Sequence, residues 1–199
     1  MRDNFQANLN VVRLYDQNNL PPEVTKVGIL PFAVVPGSKK WEFMVMKPRE
    51  EAKHLGAPMF QLAKGTRRIH INDRWCDMRE DDLRYADTSF FEPAADTALR
   101  EGHEEIGLKQ SNIKRMFDMG NFVFTSASKG VEKPLRMFAA EIIDRNDFDP
   151  HESSTSEVRW ITQDEFESIG RPDHARTLIE IAARLKNSSR SGGRIMPGR

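Results

Sequence analysis

Within Arg100-Glu101-Gly102-His103-Glu104-Glu105-Ile106-Gly107-Leu108, three carboxylates and an arginine fall inside six consecutive positions. Glu101 precedes Glu104 by three residues and Glu105 by four, so a helix would gather all three acids on one face. A helix is expected here. Pro93 suits its first position, Ala94, Ala95, Ala98 and Leu99 form an apolar stripe, and Gly107 is a natural stop. In water each like-charge pair on that face costs roughly 0.2–0.5 kcal/mol. The acids also lie in the last two turns, near the negative end of the helix dipole, which disfavours each anion by about 0.3–1 kcal/mol. A divalent cation reverses that balance: Mg²⁺ binds through a few carboxylate oxygens, keeps several waters and leaves positions for substrate phosphates. The alternative is a solvated acidic face. Gly102, inside the helix at a cost of about 1 kcal/mol relative to alanine, suggests that another stretch of backbone packs close to it.

At these residues the chain resembles the Nudix hydrolase family, whose signature is G-x5-E-x7-R-E-U-x-E-E-x-G-U with U aliphatic. Glu92, Arg100, Glu101, Glu104, Glu105, Gly107 and Leu108 all occupy specified positions. Gly102 replaces the aliphatic residue after Arg-Glu, and Ala86 stands where the signature begins with glycine. Gly65, 21 residues before position 86 in Met59-Phe60-Gln61-Leu62-Ala63-Lys64-Gly65-Thr66-Arg67-Arg68, is the candidate for that glycine, which implies an insertion at about 69–91.

The resemblance implies hydrolysis of a nucleoside diphosphate linked to another group, with water attacking one phosphorus of the pyrophosphate. It implies Mg²⁺, with Mn²⁺ as a substitute, held by Glu101 and Glu105. Glu104 is the third acid, either coordinating a further ion or acting on the water, and the Lys64 carbonyl is a ligand by analogy. Glu92 and Arg100 are expected to form an ion pair that fixes the loop against the helix, helix capping being the alternative for Glu92. A general base or extra ligand is expected from a later loop. Glu157, shortly before Trp160, is favoured over Glu152 and Glu132, with a surface strand-edge role as its alternative. Arg67, Arg68 and Lys64 are candidates for binding substrate phosphates, since guanidinium matches that geometry; solvated loop residues are the alternative. His103, at a variable position of the signature, is expected to face solvent. In the inserted segment Trp75 or Tyr85 could stack on a base as part of a lid; otherwise the segment packs on the domain or in a homodimer interface.

The rest of the chain must position these groups. Residues 27–35 and 41–46 read as a strand hairpin, 115–125 and 135–143 as a second, and 158–161 as a short strand. Ala175, Leu178, Ile181, Ala182 and Leu185 repeat at helical spacing, with Asp173 as a candidate cap after Pro172. The family's fold is an α/β (α+β) class α/β/α sandwich with a mixed central sheet. Residues 1–26 are then an N-terminal extension, 27–186 the domain and 187–199 a flexible tail.

With 199 residues and 38% hydrophobic content the chain can build one core. No apolar run is long enough to span a bilayer, and the polar start lacks a secretory hydrophobic segment, so no membrane partner and a cytoplasmic location are expected. Cys76 is the only cysteine, which excludes an intrachain disulfide. Thirty basic residues balance thirty acidic ones, the opposite of a protein that grips long nucleic acid; a small nucleotide-type substrate fits better. ADP-ribose-like compounds and dinucleoside polyphosphates are both candidates, the latter because Ala63-Lys64-Gly65 is similar to the Pro-Lys-Gly of some family members with that activity. A reading from another class stays open: a catalytically silent Nudix-like nucleotide-binding or regulatory module.

Overall fold

The run Lys26–Val34 forms strand β2, and every residue from Val27 to Ala33 is buried, as a strand covered on both faces requires. The computed structural model describes residues 11–13, 25–35, 37–38, 40–49, 59–71, 74–77, 91–125, 131–149 and 155–190. One edge of β2 pairs in parallel with β8 (Glu132–Ile142). The other edge is shared between two antiparallel partners: β4 (Ala63–Thr66) covers Lys26 to Ile29, and β3 (Trp41–Pro48) covers Phe32 to Val34. Pro31 falls between these two pairings, where among the described residues that edge has no ladder partner to miss its N–H.

Outside this centre, β7 (Ile113–Thr125) runs antiparallel to β8, and β9 (Thr155–Thr162) antiparallel to β3. The short β1 (Val11–Arg13), from the expected N-terminal extension, adds a parallel edge strand beside β7. The order is β1-β7-β8-β2-β3-β9, with β4 on β2, which makes the sheet mixed. A separate two-stranded ribbon, β5 (Arg68–Ile71) and β6 (Arg74–Asp77), follows directly on β4.

Alternation along the strands sends side chains to two layers. Val27, Ile29, Met44, Met46 and Ala63 pack with Ala98, Leu99 and Ile106 of α1 (Ala94–Ile106). Leu30, Phe32, Phe43, Val45 and Leu62 pack with Phe166 of α2 (Gln163–Ile169) and with Leu178, Ile181, Ala182 and Leu185 of α3 (Pro172–Arg190). The expected α/β/α sandwich is therefore present.

Several boundaries differ from expectation. Helix α3 begins at Pro172, so Asp173 sits inside its first turn instead of capping it. The helix continues through Arg190, so residues 187–190 are helical, and 191–199 lie outside the described residues. Pro93 is the N-cap of α1, one position earlier than expected. Helix α2 was not among the expected elements: periodicity over so short a segment gives no signal, and its local cue is Thr162-Gln163-Asp164-Glu165, which forms a reciprocal capping box. Of the expected insertion, residues 72–73 and 78–90, including Tyr85, lie outside the described residues, as does Glu152. No helix among the described residues is long and apolar enough to cross a membrane.

Candidate active site

Two glycines bring α1 onto the sheet. A Cβ at Gly102 would stand 2.8 Å from Ile29 Cγ2 and 3.1 Å from Leu108 Cδ2. The close neighbours are thus core side chains, not the backbone expected from sequence. A Cβ at Gly65 would lie 1.9 Å from Glu101 Cδ and 2.0 Å from each of its carboxylate oxygens. The Glu101 carboxylate rests directly on the β4 backbone, and only glycine leaves room for it. Gly107, in the left-handed conformation at φ 68°, ends α1 by donating to the His103 carbonyl while Leu108 N–H bonds that of Gly102.

Arg100 organises the acids. Its Nε donates to Glu92 Oε1 at 3.0 Å and its Nη2 to Glu92 Oε2 at 3.1 Å, forming the expected ion pair. Nη2 also reaches the Thr66 carbonyl at 2.8 Å, and Nη1 bridges Glu101 at 2.7 Å and Glu104 at 2.9 Å. Glu92 accepts as well from the Arg68 N–H and the Thr97 hydroxyl, and its own N–H returns to the Arg68 carbonyl. It ties loop to helix and makes no capping bond. Burial would raise the Glu92 pKa, but the Arg100 hydrogen bonds and charge outweigh it and hold the carboxyl below its ordinary range. Burial also works against the Arg100 charge, and the surrounding carboxylates, Glu92 first, outweigh it and raise the guanidinium pKa. Glu101 behaves in the opposite way. It is 8% exposed, and burial pushes its pKa up despite Arg100.

The free edge of β4 faces the same place. Lys64 N–H donates to Glu105 Oε2 at 2.7 Å. In a strand the N–H and C=O of one residue point to the same edge, so the Lys64 carbonyl also opens toward Glu105. Two residues earlier on that edge, Leu62 N–H donates to His174 Nδ1 at 2.9 Å. His174 is buried, its Nε2 has no hydrogen-bond partner among the described residues, and burial followed by the positive charge of Lys64 holds its pKa well below the ordinary value. Thr155 Oγ1 donates to the Glu105 carbonyl at 3.0 Å and secures the last turn of α1.

The Lys64 side chain lies on the α3 side, with Nζ 3.3 Å from Gln61 Oε1 and 5.8 Å from the centre of the Phe124 ring. Burial lowers its pKa against the pull of Glu105. Arg171 and Asp173, joined by two hydrogen bonds, and Lys26, bonded to the Thr66 hydroxyl, contribute charge around it. Sequence reasoning did not single out His174, Arg171 or Lys26. The His174 to Leu62 contact spans 112 positions and has no local signature.

Other candidates are placed as follows. Arg68 Nη2 stands 3.5 Å from Glu104 Oε1, at the half-exposed mouth of the cluster. Arg67 turns away: Nε and Nη2 both donate to the Glu92 carbonyl, and its guanidinium lies 5.3 Å from the centre of the Phe91 ring. Glu157 is exposed on β9, 3.6 Å from Arg159 Nε. Its neighbours Val158 and Trp160 face the α1 layer, so by alternation Glu157 faces the other side and is not brought to the α1 acids. Glu132 pairs with Thr125 at the far end of β8. His103 is partly buried on α1, and Cys76 is an exposed thiol.

Among the described residues, no three His, Cys, Asp or Glu side chains converge closely enough to form a ready-made metal centre. In this conformation the Arg100 guanidinium bridges Glu101 and Glu104. The donors nevertheless suit a hard divalent cation, being carboxylate and carbonyl oxygens only. The buried Glu101 carboxylate, whose charge Arg100 leaves incompletely compensated, is the feature that a cation would stabilise.

No family model and no curated protein matches the sequence. Solved structures do match the fold. A C. elegans Ap4A hydrolase in a binary complex is 15% identical, with 82% of this chain and 98% of that one covered at a TM-score of 0.57. The NUDIX domain of Shewanella oneidensis NrtR, complexed with ADP ribose, is 13% identical over 86% of this chain and 94% of that one, also at 0.57. RenU, a Nudix hydrolase from M. smegmatis, is 14% identical over 89% and 91%, at 0.50. The chain has the Nudix fold.

Proposed function

We propose that the protein is a Mg²⁺-dependent hydrolase, with Mn²⁺ as a substitute, that cleaves the pyrophosphate linkage of a nucleoside diphosphate joined to another group. The observation that carries this reading is the Glu101 carboxylate seated on Gly65, with Glu105 and the Lys64 edge of β4 beside it. On the Nudix fold, a buried acid within a repulsive trio has a purpose in binding cations and none in stability.

Glu101, Glu105 and the Lys64 carbonyl would hold the ion, with Glu104 as a further ligand or as the group acting on water. Bound there, the cation would neutralise charge developing on the phosphate oxygens and lower the pKa of a bound water. The chain supplies the rest. Glu104, half exposed between Arg100 and Arg68, accepts a proton as the water oxygen bonds to phosphorus. The bridging P–O bond breaks, and its electron pair leaves on the departing phosphate. Glu104 is preferred to Glu157 because Glu157 pairs with Arg159 on the other sheet face. Arg68, beside Glu104, would hold phosphate oxygens; of Lys64 only the backbone edge faces the acids, its side chain being turned to the α3 side. Arg67, Arg100 and Glu92 keep loop and helix in register.

Two similar structures support the substrate class, one named an Ap4A hydrolase and one complexed with ADP ribose. Balanced charge fits a small nucleotide better than long nucleic acid. The test is product analysis with Mg²⁺ against ADP-ribose, dinucleoside polyphosphates, nucleoside triphosphates and NADH, with Glu105→Gln alongside. Cleavage that Glu105→Gln loses supports the hydrolase. Silence across the panel with measurable binding overturns it in favour of a nucleotide-recognition module.

A further inference from the structure

The β5–β6 ribbon has one face turned into the domain and one turned to solvent. Ile69, on the inner face, is 3% exposed and bridges Phe91. Arg68 and His70 flank Ile69 in sequence and so point to the opposite face. Trp75 is the cross-strand partner of His70 and shares that face, with the two ring centroids 5.1 Å apart. Arg68 marks where this face looks, because its guanidinium reaches Glu104 at the mouth of the carboxylate cluster. His70 is one strand repeat further along, about 7 Å. An indole that is 53% exposed is therefore held against an imidazole, one step out from the acids. The ring planes are inclined by 52°, so the exposed indole, braced by the imidazole, is the aromatic face offered to whatever lies over the site.

We propose that the His70–Trp75 pair is a stacking platform for a nucleobase of the substrate. The proposal rests on the hydrolase reading for its ligand class, and adds that the ribbon recognises the base while Arg68 and Glu104 meet the phosphate end. Aromatic stacking accepts any base, so the platform would contribute affinity with little base discrimination. Because Trp75 is exposed, removing it leaves the core intact, and loss of folding does not obscure the result.

The first experiment is calorimetric binding of AMP and of ribose 5-phosphate, which differ only by the base, to the wild-type chain, Trp75→Ala and Trp75→Phe. The expected result is that wild type binds AMP more tightly than ribose 5-phosphate. Trp75→Ala should lose that preference by about 5- to 100-fold in Kd, and Trp75→Phe should retain most of it. Equal affinity of wild type for the two probes, or no detectable binding of AMP, overturns the platform, as does AMP affinity unchanged in Trp75→Ala. None of these readouts requires turnover, so failure of the platform is separable from failure of the hydrolase reading. On a cleaved dinucleoside polyphosphate, Trp75→Ala should raise KM by a similar factor while changing kcat far less, and a fall in kcat alone contradicts the assignment.

Discussion

Under α3 the sheet is covered by many aromatic groups, among them Phe32, Phe43, Phe60, Phe117, Phe122, Phe124 and Phe166, whereas the α1 layer has mainly aliphatic residues and Phe138, with Ala63, Ala98, Gly65 and Gly102 where the acidic end of the helix meets β4 and β2. The difference lies in what each helix brings to the sheet. Bulky side chains on the α3 side bury much area, at about 25 cal/mol per Å² of apolar surface. Small residues at one end of the α1 contact let a carboxylate touch a strand glycine, so that charged groups stand beside the apolar layer. One sheet therefore carries a stabilising face and a chemical face, joined through β4 and the residue before it, Leu62 being held by His174 from α3 and Lys64 by Glu105 from α1.

That contrast can be broken from either side. Leu178→Ala removes a fully buried side chain from the α3 layer and should cost about 2–5 kcal/mol in chemical denaturation, with kcat of the folded fraction nearly unchanged. Gly65→Ala should do the reverse. Its methyl would displace Glu101 by about an ångström or more, so turnover should fall on the order of 100-fold while the denaturation midpoint moves much less. A midpoint that falls as far as for Leu178→Ala would refute the division.

Glu92→Gln tests the tie between loop and helix. The folded-state pKa of Glu92 is depressed, so its stabilisation is fully present above the ordinary carboxylate pKa and is lost as pH falls through the lowered value. The variant should be roughly 2 kcal/mol less stable at neutral pH, and the deficit should vanish in strong acid. A deficit independent of pH would mean that shape, not charge, is what Glu92 supplies. The smallest effect is expected at Gly102→Ala. Alanine favours the helix by about 1 kcal/mol, but its methyl meets Ile29 and Leu108, and overpacking of about 1–3 kcal/mol should leave a net loss near 1 kcal/mol. Net stabilisation would show that α1 has room to spare.

The chemical face was largely legible in the sequence because its spacing is local. Glu101, Glu104 and Glu105 share a helix face by period alone, Arg100 lies next to them, and the strands 27–35 and 115–125 follow from apolar runs. What escaped depends on distant partners. Nothing near Gly65 in sequence says that Glu101 will lie on it, since 36 positions separate them. His174 reads as one polar position on an amphipathic helix until β4 is beside it. The outward turn of Glu157 follows from its strand register against Lys47, which no spacing reveals. The splitting of the β2 edge between β3 and β4 is equally a property of the assembled sheet.

Cation binding to α1 is the central claim, and Mn²⁺ titration followed by electron paramagnetic resonance measures it without reference to any substrate. The wild-type chain and Leu178→Ala should remove the free-ion signal with the same affinity, while Glu101→Gln and Glu105→Gln should each weaken binding at least about tenfold. Equal Mn²⁺ affinity in all four proteins, or none in the wild type, would contradict the account.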